Sequence, residues 1–141
     1  MAKKSSLSAS FPDGAYANYE DGLIKDEGAY LNGKEQGEWR RYRIVKGKSV
    51  LVGLNQYTHG LADGLQETFR DDGTPWYRTP FVKGMTQGIR TIYNYNGKVS
   101  QVTPFDKGKQ NGVEKQYDSQ GNLTRTTEWV HGKVIRSTGT E

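Results

Sequence analysis

Glycine recurs at fixed intervals along this chain, and that rhythm limits its fold more than any other property. The pairs Asn32-Gly33, His59-Gly60, Lys83-Gly84, Lys107-Gly108 and His131-Gly132 are spaced by 27, 24, 24 and 24 residues. Four residues after each of the first four stands a second glycine: Gly37, Gly64, Gly88 and Gly112. Gly14 takes the same position near the N-terminus. A third set follows in each unit: Gly22, Gly47, Gly73, Gly97 and Gly121. Aromatics share the period. Tyr19, Tyr42, Phe69, Tyr93 and Tyr117 come five residues after the second glycine. Tyr30, Tyr57, Phe81, Phe105 and Trp129 come three residues before the glycine of the next pair. Fifteen of 18 glycines and 10 of 16 aromatics lie on this grid, and self-similarity at a fixed period means a repeat array.

Each unit reads as a β-hairpin. A short first strand runs from the second glycine to the first aromatic, as in Gly88 to Tyr93. Asp21-Gly22, Asp72-Gly73 and Asn96-Gly97 are the dipeptides that hairpin turns with φ > 0 demand. A second strand then runs to the next aromatic, as in Lys98 to Phe105. No segment sustains a 3.6-residue apolar period, so no helix is expected. The reading is an all-β protein: an elongated single antiparallel meander sheet of about five tandem β-hairpin repeats plus a terminal strand near 133–138. About eleven strands at roughly 4.8 Å each give a sheet about 50 Å long. The second unit carries three extra residues around Ile44 to Leu54, which predicts a longer hairpin or a bulge. Residues 1–10 read as a flexible N-terminal tail and residues 11–138 as the repeat domain.

Composition agrees with a thin sheet. Only 33% of the residues are apolar, too few for a thick two-layer core. Period-two alternation puts Tyr19, Tyr42, Phe69, Tyr93 and Tyr117 on one face. With Tyr30, Tyr57, Phe81, Phe105 and Trp129 as their second-strand counterparts, they form an expected spine on that face. The absence of cysteine excludes disulfides, thiol catalysis and Cys-type zinc sites. The first ten residues lack the apolar run of a secretory signal, and no stretch is long and apolar enough to span a membrane. The expected location is therefore cytoplasmic.

Several residues invite a chemical reading. His59 and His131 hold the same repeat slot, 72 residues apart, where Asn32, Lys83 and Lys107 also stand. That slot precedes a turn glycine, so a left-handed turn role outweighs metal binding or catalysis. Asp13, Asp21, Asp71 and Asp72 lie in or beside turns, where Asp bonds locally. No nucleophile elbow, P-loop or paired-histidine zinc motif is present. The reading is thus not an enzyme, with no cofactor, no metal and no small-molecule substrate. The basic run from Trp39 to Lys48 is the sharpest local charge, with Arg41 and Arg43 on one strand face. Phe11, Tyr16, Trp39, Trp76, Tyr77 and Tyr95 lie off the aromatic grid. By parity Tyr16, Trp39 and Trp76 face away from the spine, together with Arg41, Arg78 and Arg90. Trp, Tyr and Arg are enriched at interface hot spots. Tyr16, Trp39, Arg41, Arg43, Trp76, Arg78 and Arg90 are therefore the expected partner-binding residues.

The pattern in Asn32-Gly33-Lys34-Glu35-Gln36-Gly37-Glu38-Trp39 and in Lys107-Gly108-Lys109-Gln110-Asn111-Gly112 resembles the MORN repeat family. More narrowly it resembles the variant MORN-like repeats of bacterial antitoxin and immunity proteins, over about residues 14–135. The units here are 24 residues and lack the Gly-X-Gly that often closes the eukaryotic type. The resemblance implies a cytoplasmic immunity protein or antitoxin. Such a protein binds a cognate toxin, such as a nuclease or deaminase, and covers its active site or substrate groove. The alternatives are a membrane-lipid or scaffold protein of the MORN type, or a nucleic-acid binder through residues 39–48. The local and flanked charge (Glu35 and Glu38 adjoin it) argues against nucleic acid, and the departures from the eukaryotic pattern argue against membrane.

Overall fold

A computed structural model describes residues 13–139. In chain order the strands are β1 (Gly14–Glu20), β2 (Leu23–Leu31), β3 (Lys34–Glu35), β4 (Gly37–Val45) and β5 (Lys48–Thr58). Next come β6 (Leu61–Ala62), β7 (Gly64–Phe69), β8 (Pro75–Val82), β9 (Met85–Thr86) and β10 (Gly88–Tyr93). The chain ends with β11 (Val99–Asp106), β12 (Lys109–Gln110), β13 (Gly112–Tyr117), β14 (Leu123–Val130) and β15 (Lys133–Gly139). Eleven of these form one open antiparallel sheet in chain order, and no helix occurs among the described residues. The two-residue strands β3, β6, β9 and β12 lie off that path, each folded back on the end of the preceding strand. The expected all-β hairpin array is thus what the chain forms. The tail expected over 1–10, Phe11 and the first residues of the expected 11–138 domain lie outside the described residues.

The glycine grid is a grid of backbone conformations. The fifteen glycines on it all have positive φ, from 75° to 123°, and the three off it, Gly28, Gly53 and Gly139, do not. Only glycine enters these regions without a Cβ penalty. The pairs Asn32-Gly33, His59-Gly60, Lys83-Gly84, Lys107-Gly108 and His131-Gly132 have positive φ at both residues. They form the two-residue turns whose twist matches that of the strands. Asp21-Gly22 and Lys46-Gly47 close their hairpins in the same way. At Asp72-Gly73 and Asn96-Gly97 the expectation of a φ > 0 dipeptide needs correction, because only the glycine is left-handed. Gly73 N donates to Arg70 O and Arg70 N to Thr74 O, and Gly97 and Asn94 repeat the pattern. These are three-residue loops ending on a left-handed glycine. The second unit is the longer hairpin expected, with β4 of nine residues and β5 of eleven.

A clamp recurs at the rim between hairpins. The residue before the second glycine accepts, through its side-chain oxygen, the N–H of the next left-handed turn residue. Asp13 takes Asn32 N at 2.6 Å, Gln36 takes His59 N at 3.0 Å and Asp63 takes Lys83 N at 3.3 Å. Gln87 takes Lys107 N at 2.8 Å and Asn111 takes His131 N at 3.0 Å. The turn glycines then bond backwards: Gly60 N to Glu35 O, Gly84 N to Ala62 O, Gly108 N to Thr86 O and Gly132 N to Gln110 O. Each turn is thereby stacked on the one before. Pro80 and Pro104 fit inside the sheet because they lie beside the irregular link, where their carbonyls accept Gln87 N and Asn111 N.

One register shift falls in every hairpin, just before Tyr19, Tyr42, Phe69, Tyr93 or Tyr117. The single-faced spine is therefore corrected. Gly14 pairs directly with Tyr30, and Tyr19 lies five residues along the same strand, an odd step that turns it to the other face. The same holds for Gly37 with Tyr57, Gly64 with Phe81, Gly88 with Phe105 and Gly112 with Trp129. The two aromatic rows cover opposite faces. The second-strand row holds the better buried ones, Tyr30 and Phe105, beside Thr103, Glu114 and Thr127. Glu114 accepts from Thr103 Oγ1 at 2.6 Å and Gln101 Nε2 at 3.0 Å, so its buried carboxylate is bonded.

The conformational role of the glycines gives a graded prediction. An added Cβ at Gly97 (φ 86°) meets nothing within 4 Å, so Gly97→Ala costs only left-handed strain, about 1–2 kcal/mol. At Gly112 (φ 123°) the Cβ also meets Pro104 Cγ at 2.8 Å. Gly112→Ala should therefore lower the urea midpoint clearly more than Gly97→Ala; equal midpoints would contradict the packing at the link.

Candidate functional site

Tyr16, Trp39, Arg41, Arg43 and Arg90 share one face, since each lies an even number of residues from the glycine that pairs with the second-strand aromatic of its hairpin. That face also carries Tyr30, Tyr57, Phe81, Phe105 and Trp129, so these residues do not face away from every aromatic row. Tyr16, Tyr30 and Trp39 pack as a triangle, with ring centroids 5.3, 5.6 and 5.1 Å apart. Trp39 Nε1 donates to Ala29 O at 3.2 Å. Its indole lies over Gly28, where an added Cβ would overlap the ring. Gly28, unexplained by the repeat, is the floor for Trp39. Arg41 stands at the edge of this cluster with Asp26, Asn55 and Tyr57.

Arg78 does not belong to this face. Its Nε pairs with Glu67 at 3.2 Å, and its pKa is raised first by a hydrogen bond to Tyr93 of the first-strand row and then by Glu67. The basic run 39–48 is likewise divided. Arg40 pairs with Glu38 on the opposite face from Arg41 and Arg43, and Arg43 pairs with Asp71 at 3.3 Å. Arg90 lies over Phe105, 4.8 Å from the ring centroid.

A second cluster forms at the hairpin-turn end around Arg70, which the sequence reading did not single out. Its guanidinium lies 3.9 Å from the Tyr95 ring centroid and 4.9 Å from that of Trp76. Its Nη2 donates to Tyr93 O at 2.6 Å. Trp76 is the unpaired residue of the β7–β8 bulge, which brings it onto Tyr77 with centroids 5.0 Å apart. Arg43, Arg70, Asp71, Trp76 and Tyr95 border an open depression of about 430 Å³. Tyr95 is 82% exposed and Trp76 37%. In two of the four equivalent bulges Ser100 and Thr124 stand where Trp76 does (Lys25 and Val52 hold the slot in the other two), and their hydroxyls bond Ile92 O and Gln116 O. A small polar residue thus suffices for the fold, and the aromatic at this slot adds surface instead. The sequence signal for Arg70 was its equivalence to Arg43, six residues after the second glycine.

The histidines take the turn role expected, with φ of 52° at His59 and 48° at His131. Asp72 accepts the N–H and hydroxyl of Thr74, which hold its pKa down, while Asp13 joins the rim clamp. Among the described residues no group of three or more His, Cys, Asp or Glu could hold a metal ion. The fold and site define a β-hairpin repeat protein with an arginine–aromatic surface. No family model matches the chain, and no curated protein matches it.

Two tyrosines report on the faces. Burial, then the nearby Glu35, Tyr16 and Asp26, push Tyr30 up to about 12. Burial and the hydrogen bond from its hydroxyl to Glu27 Oε2 (2.6 Å) do the same for Tyr42. The unfolded chain ionises these groups near pH 10, so stability holds below that and falls as pH rises from about 10 towards 12. Tyr42→Phe should shrink this alkaline loss, as measured by urea melts across the window; an unchanged pH profile would contradict the assignment.

Proposed function

We propose that this chain is a MORN-like immunity or antitoxin protein that neutralises a cognate bacterial toxin by covering its active site or substrate groove. The observation that carries the reading is the exposed Trp76–Arg70–Tyr95 stack. Its Trp76 sits at a bulge slot that two other units fill with the small polar Ser100 and Thr124. Preordered arginine and aromatic side chains around a shallow depression are what a protein hot spot requires. An open sheet of this length offers ample area for an interface of about 800 Å² on its side. Binding alone blocks the toxin, so no chemistry is asked of the chain. A toxin acting in the cytoplasm, such as a nuclease or deaminase, is the partner this reading implies, and the cytoplasm its location. The nucleic-acid alternative through residues 39–48 loses support, because those charges divide between two faces and two of them are paired.

The test is co-expression with the protein encoded beside it, followed by titration of the purified pair. The reading expects a stable complex and growth protection. Trp76→Ala and Tyr95→Ala should each weaken binding by about 2 kcal/mol or more, roughly 30-fold, with the fold intact. No complex, or a complex indifferent to both substitutions, would overturn the reading or its site respectively.

A further inference from the structure

The rim of stacked turns opposite the Trp76 cluster has properties that neither the repeat nor the toxin-binding reading uses. Its turn tips carry Lys83 and Lys107 in left-handed backbone, with φ of 49° and 50°. That conformation suits Asn, which stands in the same slot at Asn32, and it is strained for lysine. The strand ends beside the tips add Lys34, Lys109 and Lys133. All five lysines are exposed, and among the described residues none is in an ion pair. Between them lie exposed aliphatic side chains: Leu61, Val82 and Met85, each 47–50% exposed. Val82 and Met85 face each other across one turn. The stacking bonds between successive turns fix these groups in one row: Lys34 on the first turn, Leu61 on the second, Lys83 with Val82 and Met85 on the third, Lys107 and Lys109 on the fourth, and Lys133 on the fifth.

We propose that this rim is a docking edge for an extended acidic protein segment that carries apolar side chains between its carboxylates. Successive turns are two strands apart, about 10 Å. An extended chain in the polyproline II form advances about 3.1 Å per residue with three residues per turn, so residues three apart lie on one side and span about one step of the row. Carboxylates at that period meet the lysines of the third, fourth and fifth turns, and the chain's apolar side chains cover Leu61, Val82 and Met85. A phosphate backbone would satisfy the lysines but leave the aliphatics uncovered, and no Phe, Tyr or Trp stands at the turn tips to stack a base. A flat lipid surface meets only neighbouring turns, because a sheet twisting by about 20–25° per strand carries its rim along a spiral.

The probe is a fluorescein-labelled 15-residue peptide of Glu-Asp-Leu triplets, titrated by anisotropy into the full chain. The decisive variant is Lys83→Asn with Lys107→Asn, which removes two charges and puts at both turns the residue they prefer. Its melting temperature should be equal to or above that of the parent, so lost binding cannot be ascribed to unfolding. The proposal expects saturable binding that weakens with salt, and a dissociation constant raised about tenfold or more in the double variant. Leu61→Ser with Met85→Ser should weaken the peptide while leaving oligo-dT unaffected. Peptide binding unchanged in the lysine variant would overturn the proposal. So would capture of 15-mer oligo-dT or phosphatidylserine vesicles as tight as the peptide, or no peptide binding at all. None of these outcomes bears on Trp76 and Tyr95, so failure here is distinct from failure of toxin binding.

Discussion

The fold depends on one interaction repeated five times: a side-chain oxygen at the foot of one hairpin holding the N–H of the turn that leads to the next. A hairpin alone is marginal in water. Here each turn after the first also sends its glycine N–H back to the preceding unit, so neighbouring hairpins are tied at the rim as well as along the strands. Aliphatic bulk is therefore needed only locally, and few side chains are fully buried. Because contacts link near neighbours, stability accumulates unit by unit along the array.

That economy has a consequence for surface chemistry. A unit whose geometry is set by glycines, a clamp residue and two aromatics leaves its other positions free. The five units act as internal controls on one another. Where Ser100 and Thr124 bond their neighbouring carbonyls, Trp76 instead stacks on Tyr77 and shields Arg70. Where the turn would take Asn, Lys83 and Lys107 stand in strained backbone. Departures of this kind mark residues that the fold does not require.

The architecture is legible in the glycine grid alone. Its fifteen positions are the fifteen left-handed glycines, and the longer second hairpin follows from three extra residues. Facing was less legible. Strict alternation cannot see that the grid puts an odd step between the two aromatics of a hairpin, once Gly14 is known to pair with Tyr30. The bulge that carries Trp76 onto Tyr77 leaves no mark in a period-two pattern either. The clamp was hidden because Asp13, Gln36, Asp63, Gln87 and Asn111 share only a side-chain oxygen, not an identity. Arg70 was missed because Trp76 reaches it only through the bulge of their own hairpin and Tyr95 only from the next one.

Amide hydrogen exchange, read residue by residue by NMR, tests the account most directly. Exposed turn amides normally exchange at nearly the rate of an open chain. If the rim clamp holds the array, the N–H groups of Asn32, His59, Lys83, Lys107 and His131 exchange slowly, at rates comparable with the neighbouring strands. Exchange of these five at the open-chain rate, with the strands still protected, would contradict it.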